Sequence, residues 1–352
     1  PTTGDMRKLL TITQFGCLRL VTHLDPLPLQ IWGTFYGCTN LSLSAVTDMP
    51  NFKGTISTHG FLRGAAAITT INNINKWDVS KIQIFRSMFR EIPLFNDNIG
   101  NWNTKNATNF ITFFFMPATT VGGLGIFNNG GSPSINNWDT SNVTNMANMF
   151  TGQRLFNQPV GNWDTSKVTS MGTMFYASNV SGYPGLFNQD ISNWNTGNVT
   201  TMAQMFQYQS DFNQNIGNWD VSKVTTFQDI FVMSFAIGSF NNGGSSSINN
   251  WNTNSAINMR RMFRNQLSFN QPIGNWNVSL VNNLSDFMQG KTNLDYSAAN
   301  YDTLLIGWAS RPVQPNISIN FNTIKYTAAA SAARAILTSA PNNWTIVDGG
   351  II

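Results

Sequence analysis

Charge, cysteine and histidine are all scarce in this sequence of 352 residues. Charged side chains make up 10% of it, against roughly 25% in ordinary soluble domains. The two histidines, His23 and His59, both lie in the irregular N-terminal part, with no Ser or Cys elbow nearby. Each reads as a surface or satisfied residue rather than a base, which leaves nucleophilic catalysis without its usual partners. The two cysteines, Cys17 and Cys38, either bridge within an end cap or stay as buried thiols, and spacing does not choose between these. No Cys/His set has zinc spacing and no Asp-rich loop resembles a calcium site, so neither metal nor cofactor is expected. Gly122-Gly-Leu-Gly125 lacks the preceding strand and following Lys of a phosphate loop and reads as a flexible insert.

Long apolar runs are missing too. No stretch approaches the roughly 18 apolar residues that a spanning helix needs, so no membrane insertion is expected of this segment. The sequence opens on Pro1 with neither an initiator Met nor a signal peptide, and upstream material is expected to have been removed or left out. Basicity is thin: 20 Lys and Arg give a net charge of +4. Their densest cluster is Arg260, Arg261 and Arg264, which reads as a solvated rim. Nucleic acid, which wants a concentrated basic face, is set aside as a partner.

Neutral polar and aromatic residues fill the space left by charge. There are 48 Asn, 26 Phe, 11 Trp and 14 Met, too apolar a mixture for a disordered tract. The tryptophans fall at 77, 102, 138, 163, 194, 219, 251 and 276, in steps of 25, 36, 25, 31, 25, 32 and 25. Three positions before each lies Ile or Val, and eleven positions after lies Met, Phe or Ile. A 25-residue unit therefore alternates with longer ones. The surplus residues fall around 116–126, 176–186 and 232–239, and in the near-identical stretches 127–137 and 240–250. Those two stretches stand 113 residues apart, as in a duplicated block of four units, and should project as loops on one side of a stack.

Within a unit, apolar positions at −3, 0 and +2 from Trp follow the spacing of a leucine-rich-repeat strand. Apolar positions at +5, +8, +11 and +12 then have helical spacing. Each rung is expected to be a short strand, a helical turn and a Phe-Asn return. Stacking sets Trp on Trp, Met on Met and Phe on Phe. Pro50 takes the Trp slot of a weaker upstream rung, and Phe35 to Leu41 belongs to a degenerate starting one. Beyond residue 293 the pattern stops: 301–308 and 326–339 read as helices and 344–347 as a strand. The expected fold is thus an α/β repeat solenoid of about ten rungs, leucine-rich-repeat-like, with a small α/β C-terminal cap. Its parts are degenerate N-terminal rungs over 1–50, the solenoid over 51–293 and the capping subdomain over 294–352.

Two outward columns flank the structural ladder Trp77, Trp102, Trp138, Trp163, Trp194, Trp219, Trp251 and Trp276. At +1 stand Asp78, Asn103, Asp139, Asp164, Asn195, Asp220, Asn252 and Asn277. A slot indifferent to Asp or Asn is not doing acid–base work, and no catalytic residue is assigned. At −1 stand Asn101, Asn137, Asn162, Asn193, Asn218, Asn250 and Asn275. The −1 column reads as structural, its amides in register with the neighbouring backbone. At +1 a structural role and a ligand-binding one stand level, which makes that column the candidate binding surface. Sequons such as Asn142, Asn198 and Asn277 read as by-products of the repeat.

The units Phe187-Asn-Gln-Asp-Ile-Ser-Asn-Trp-Asn-Thr-Gly-Asn-Val-Thr-Thr-Met-Ala-Gln-Met-Phe206 and Phe212-Asn-Gln-Asn-Ile-Gly-Asn-Trp-Asp-Val-Ser-Lys-Val-Thr225 resemble the BspA-like leucine-rich-repeat surface proteins. So do Phe35-Tyr-Gly-Cys-Thr-Asn-Leu41 and the closing Trp344-Thr-Ile-Val-Asp-Gly-Gly350. The resemblance implies a secreted, cell-surface or virion-surface array that binds and does not catalyse. The expected partner is a glycan or protein on a host or neighbouring cell, met through the strand face and the insert loops. Self-assembly into a viral fibre, surface layer or filament is the alternative.

Overall fold

The computed structural model describes residues 6–16, 33–117, 124–177, 180–234 and 236–352. Cys17, His23, Gly122 and Gly123 lie outside these. The chain divides into two compact units. One is Pro1–Val168 with Met174–Phe187, the other Thr169–Thr173 with Asn188–Ile352.

Each repeat is a succession of tight turns. The Trp N–H returns to the carbonyl of the −3 residue at 3.1–3.2 Å in all eight repeats. The Trp that follows is extended, with φ −62° and ψ 130° at Trp138. A second turn joins +5 to +2, as in Val143 N–H to Thr140 O at 2.8 Å. The +5 to +12 stretch, read above as a helical turn, contains no helix. Instead Met88 N–H returns to Phe85 O at 3.2 Å, and the +10 residue takes a φ of 53–60° in every repeat, from Ser87 to Asp286. A left-handed residue ends any helix, and here it turns the backbone N–H groups sideways. Those of Phe85, Ser87, Phe89 and Glu91 donate to Asn109, Ile111, Phe113 and Phe115 of the next repeat at 2.9–3.2 Å. Over eight residues, i→i+3 turns and a helix place apolar side chains at the same spacings, which is why periodicity alone misreads the segment.

Backbone pairing likewise sits elsewhere than at the Trp. Single parallel bridges link position +7 of successive repeats: Ile84 to Asn109 to Asn145 in the first unit, and Ser170 to Thr201 to Thr226 to Asn258 to Asn283 in the second. Pro50 does occupy the Trp slot of a preceding repeat, since Ser57 pairs with Ile84 and Gly60 N–H donates to Arg86 O at 3.0 Å.

The core is a set of aromatic columns. In the first unit Trp77, Trp102, Trp138 and Trp163 stack with centroids 6.1–6.3 Å apart and planes within 13°. In the second, Trp194 stacks on Trp219 at 6.3 Å and Trp251 on Trp276 at 5.7 Å. A buried indole N–H needs an acceptor. Trp102, Trp138, Trp163, Trp219, Trp251 and Trp276 each donate to the −3 carbonyl of the repeat before, at 2.8–3.2 Å. Trp77, first of its column, has no partner for its buried N–H among the described residues. Alongside, the +12 Phe lies face to face with the Phe of the Phe-Asn return, at 3.9 Å for Phe150 and Phe156 and again for Phe263 and Phe269.

Helix α1, Ala298–Ala309, is capped by the Ser297 hydroxyl, which accepts from Asn300 N–H. It carries Trp308 to the place of one more column Trp, its indole donating to Ile273 O at 3.3 Å. Tyr296 continues the Phe column on Phe269. Helix α2, Ser331–Thr338, and strand β2, Thr345–Val347, fall where the sequence places a helix and a strand. Strand β1, Ser318–Asn320, pairs with β2 in parallel and has no counterpart in the sequence reading.

Candidate functional site

The outward columns beside the Trp are the natural place to look for a ligand surface. The +1 side chains are exposed except Asn277, which is half-buried. All eight do one job inside the fold: the Oδ1 accepts the backbone N–H two residues on, at 2.9–3.3 Å. This is an Asx turn, for which Asp and Asn are equally fitted because only an oxygen is used. The Ser80, Ser166 and Ser222 hydroxyls, the backbone N–H of the same serines and the charges of Lys81, Lys167 and Lys223 hold Asp78, Asp164 and Asp220 below the usual carboxylate range. No proton is poised for transfer there, and the eight groups line up as turn caps.

The −1 column is placed differently from its reading above. All seven Asn are exposed, and none of their side chains hydrogen-bonds to the described chain. The laddering expected of them falls to the Asn that follows the return Phe. Asn96 accepts from Asn128 N–H at 2.6 Å and Asn128 from Asn157 at 2.9 Å. In the second unit Asn188, Asn213, Asn241 and Asn270 accept in the same way from Asn213, Asn241, Asn270 and Ser297 at 2.7–3.0 Å. The recurrent Phe-Asn pair was the available signal for this. At +2, Thr replaces Val where its hydroxyl can reach the +1 carbonyl of the next repeat, as Thr104 does to Asp139 O at 3.0 Å.

The duplicated inserts are built alike. Asn129 and Asn242, both fully buried, accept from Ile99 and Ile216 N–H at 2.8 Å and donate to Ser132 O and Ser245 O at 2.7 Å. Ser134 and Ser247 press against Gly100 and Gly217 so closely that a Cβ on either glycine would lie 1.9 Å from the hydroxyl.

The remaining candidates have fold roles. Arg261 is not a solvated rim: it grips the fully buried Asp229 carboxylate at 2.7 and 2.8 Å. Lys291 is fully buried, donating to Gln266 O and Leu267 O at 2.6 and 3.2 Å, and burial lowers its pKa to about 7. Cys38 is a buried free thiol. His59 is half-buried. Among the described residues no group of three or more His, Cys, Asp or Glu is suited to a metal, and none of their helices is long and apolar enough to cross a membrane.

Residues 56–129, 124–241 and 232–333 each match one family, described as Mycoplasma protein of unknown function, DUF285. The chain belongs to this family. Its three DUF285 matches meet over 124–129 and 232–241, at the edges of the two insert loops, so the family unit comprises several of the 25-residue repeats. There is no match among curated proteins or solved structures.

Proposed function

We propose that this repeat protein is a non-enzymatic recognition module of an outer surface, built of leucine-rich-repeat-like solenoid repeats, that binds a glycan or protein on a host or neighbouring cell. The observation that carries this reading is a division of labour. Apolar columns are consumed by the core and the recurrent acidic groups by turns, with Asp229 and Asp348 held in ion pairs, and what faces outward in register beside the turns is the strip of −1 amides. Such a strip can hydrogen-bond a partner but has no group to move protons. The extracellular setting rests on the resemblance to BspA-like surface proteins. Labelled chain incubated with intact cells and with an array of oligosaccharides tests it. Selective, saturable binding, weakened when 127–137 and 240–250 are shortened, is the expected result. No binding to any surface sinks it.

A structural role is the second reading. It is favoured by Ile336, Val347, Ile351 and Ile352, 51–67% exposed near the C-terminal strand pair. Exposed apolar side chains of this kind mark association surfaces. Concentration-dependent assembly in sedimentation, abolished by Ile351→Lys, would support it; a strict monomer at high concentration would not.

A further inference from the structure

We infer that the −1 Asn column, rather than the +1 column, is the ligand-contacting surface, and that its ligand is an extended neutral glycan accepting hydrogen bonds from the Asn amides. This rests on the surface-recognition reading above and narrows it.

Three observations carry it. First, the other recurrent Asn columns are bonded within the fold: at +1 they cap turns, after the return Phe they ladder, and at +7 they accept the +9 N–H, as Asn145 does from Ala147 at 2.9 Å. The −1 side chains are exposed and make no such bond. Nor does the backbone call for Asn there, since none of the seven has a positive φ.

Second, the residues tolerated differ in kind. The +1 slot, used as an acceptor, admits both Asp and Asn. The −1 slot holds Asn in seven repeats and Lys76 in the eighth, and never Asp. Asn and Lys share N–H donors, which Asp lacks at neutral pH. A slot whose two residue types share a donor suits an acceptor, and Lys76 sets it apart from the Phe-Asn column, which uses its oxygen and yet holds Asn throughout.

Third, the surroundings fit hydroxyl and ring oxygens better than a protein or an anion. No aromatic side chain occurs among the exposed large hydrophobics of the described residues, whereas protein interfaces are anchored by buried Trp, Tyr and Arg. Asp78, Asp164 and Asp220 beside the column stand close to Lys81, Lys167 and Lys223, so the charges offset one another and give an anionic ligand no concentrated basic face. Within each unit the neighbouring Trp rings repeat at 5.7–6.3 Å, so the column offers one amide per repeat to a ligand extended along that unit. Individually weak contacts then add only for a chain long enough to meet several repeats.

The test uses the full chain on an array of neutral, sialylated and sulfated oligosaccharides of graded length. It compares wild type, a variant with Asn→Ala at all seven column positions, and one with Asn→Asp at the same positions. Expected is binding to neutral linear oligosaccharides that tightens with length and is insensitive to salt. Both variants should lose it at least tenfold while keeping the wild-type melting temperature, because the column's side chains make no hydrogen bond to the described residues. Asn→Asp keeps shape and acceptor but removes the donor, so full binding by that variant overturns the donor argument. Full binding by the Asn→Ala variant overturns the site. Wild type that labels cells but no glycan overturns the ligand class and leaves surface recognition standing. Wild type that labels nothing overturns both.

Discussion

Replacing Gln266 by Leu should destabilise the second unit by about 1–5 kcal/mol. Gln266 is 1% exposed; its Nε2 donates to Phe231 O, and its Oε1 accepts from Phe240 N–H at 3.1 Å. The side chain thereby ties the start of the insert to the turn ribbon beside it. Gly238 makes room for it, since a Cβ there would lie 2.0 Å from Oε1. Leu fills nearly the same volume but leaves a buried carbonyl and a buried N–H without partners, at roughly 1–3 kcal/mol each. The added apolar contact returns about 1 kcal/mol. The first unit holds the same arrangement 113 residues earlier. Gln153, 2% exposed, donates to Phe114 O at 2.5 Å and accepts from Phe127 N–H at 3.0 Å. Gln153→Leu should therefore cost the same. Equilibrium urea unfolding followed by Trp emission reads both, since the column indoles are buried natively. Asn250→Ala, exposed and unbonded, is the control and should stay within about 0.5 kcal/mol of wild type. A loss below about 1 kcal/mol for either glutamine variant would refute the reasoning, because it would mean that the orphaned backbone groups find water.

Three further outcomes follow from the same geometry. Asp220→Ala removes a turn cap and should cost about 0.5–1 kcal/mol, whereas Asp220→Asn, which keeps the accepting oxygen but not the charge, should cost less than that near pH 7. The native Asp220 pKa is depressed, so its contribution is present above the unfolded value and fades as pH falls through the folded one; acid titration of stability should show that loss in wild type and less of it in Asp220→Asn. Arg261→Ala strands the buried Asp229 charge and should cost about 3–5 kcal/mol, with Asp229→Asn in the same chain recovering much of it. Lys291 titrates near 7 when folded and near 10.5 when unfolded, so between those values the unfolded chain holds the extra proton and stability rises with pH, by at most about 1.4 kcal/mol per unit. Lys291→Gln should flatten that rise between pH 7 and 9, and an unchanged slope would exclude Lys291 as its source.

The ladders were legible in the sequence because stacking forces like onto like: a Trp at a fixed offset in eight repeats has few places to go but a column. The helices at 298–309 and 331–338 were legible too, as 301–308 and 326–339, from the Pro312 and Pro315 that follow the first and the Ala content of the second. The turn ribbon from +5 to +14 was not. Its residues at +10 are Ser, Thr, Asn, Gln, Asp and Arg rather than Gly, so the side chains do not announce the left-handed backbone. Hydrogen bonds to the next repeat hold it there, and these are tertiary contacts that no local pattern records. Strand β1 went unread because three residues leave almost no periodicity.

The two flanking columns show how a repeat separates what a single copy confounds. A lone Asn beside a Trp could cap, ladder or bind, and composition favours none of these. Eight copies act as eight trials of the same slot. At +1 the fold uses only an oxygen, and Asp and Asn interchange there with the Oδ1 on a backbone N–H each time; after the return Phe the oxygen is again the atom used, yet Asn alone stands there. Where a fold contact needs both ends of the amide, the residue is fixed and buried, as at Asn129 and Asn242. The −1 column matches neither case, being fixed almost entirely as Asn yet exposed and unbonded. Its requirement must then come from outside the chain, and exchanging donor for acceptor at an unchanged shape, Asn→Asp, is the substitution that separates a bound partner from a turn preference. A turn preference would tolerate Asp, which the +1 turns accept in four of eight repeats.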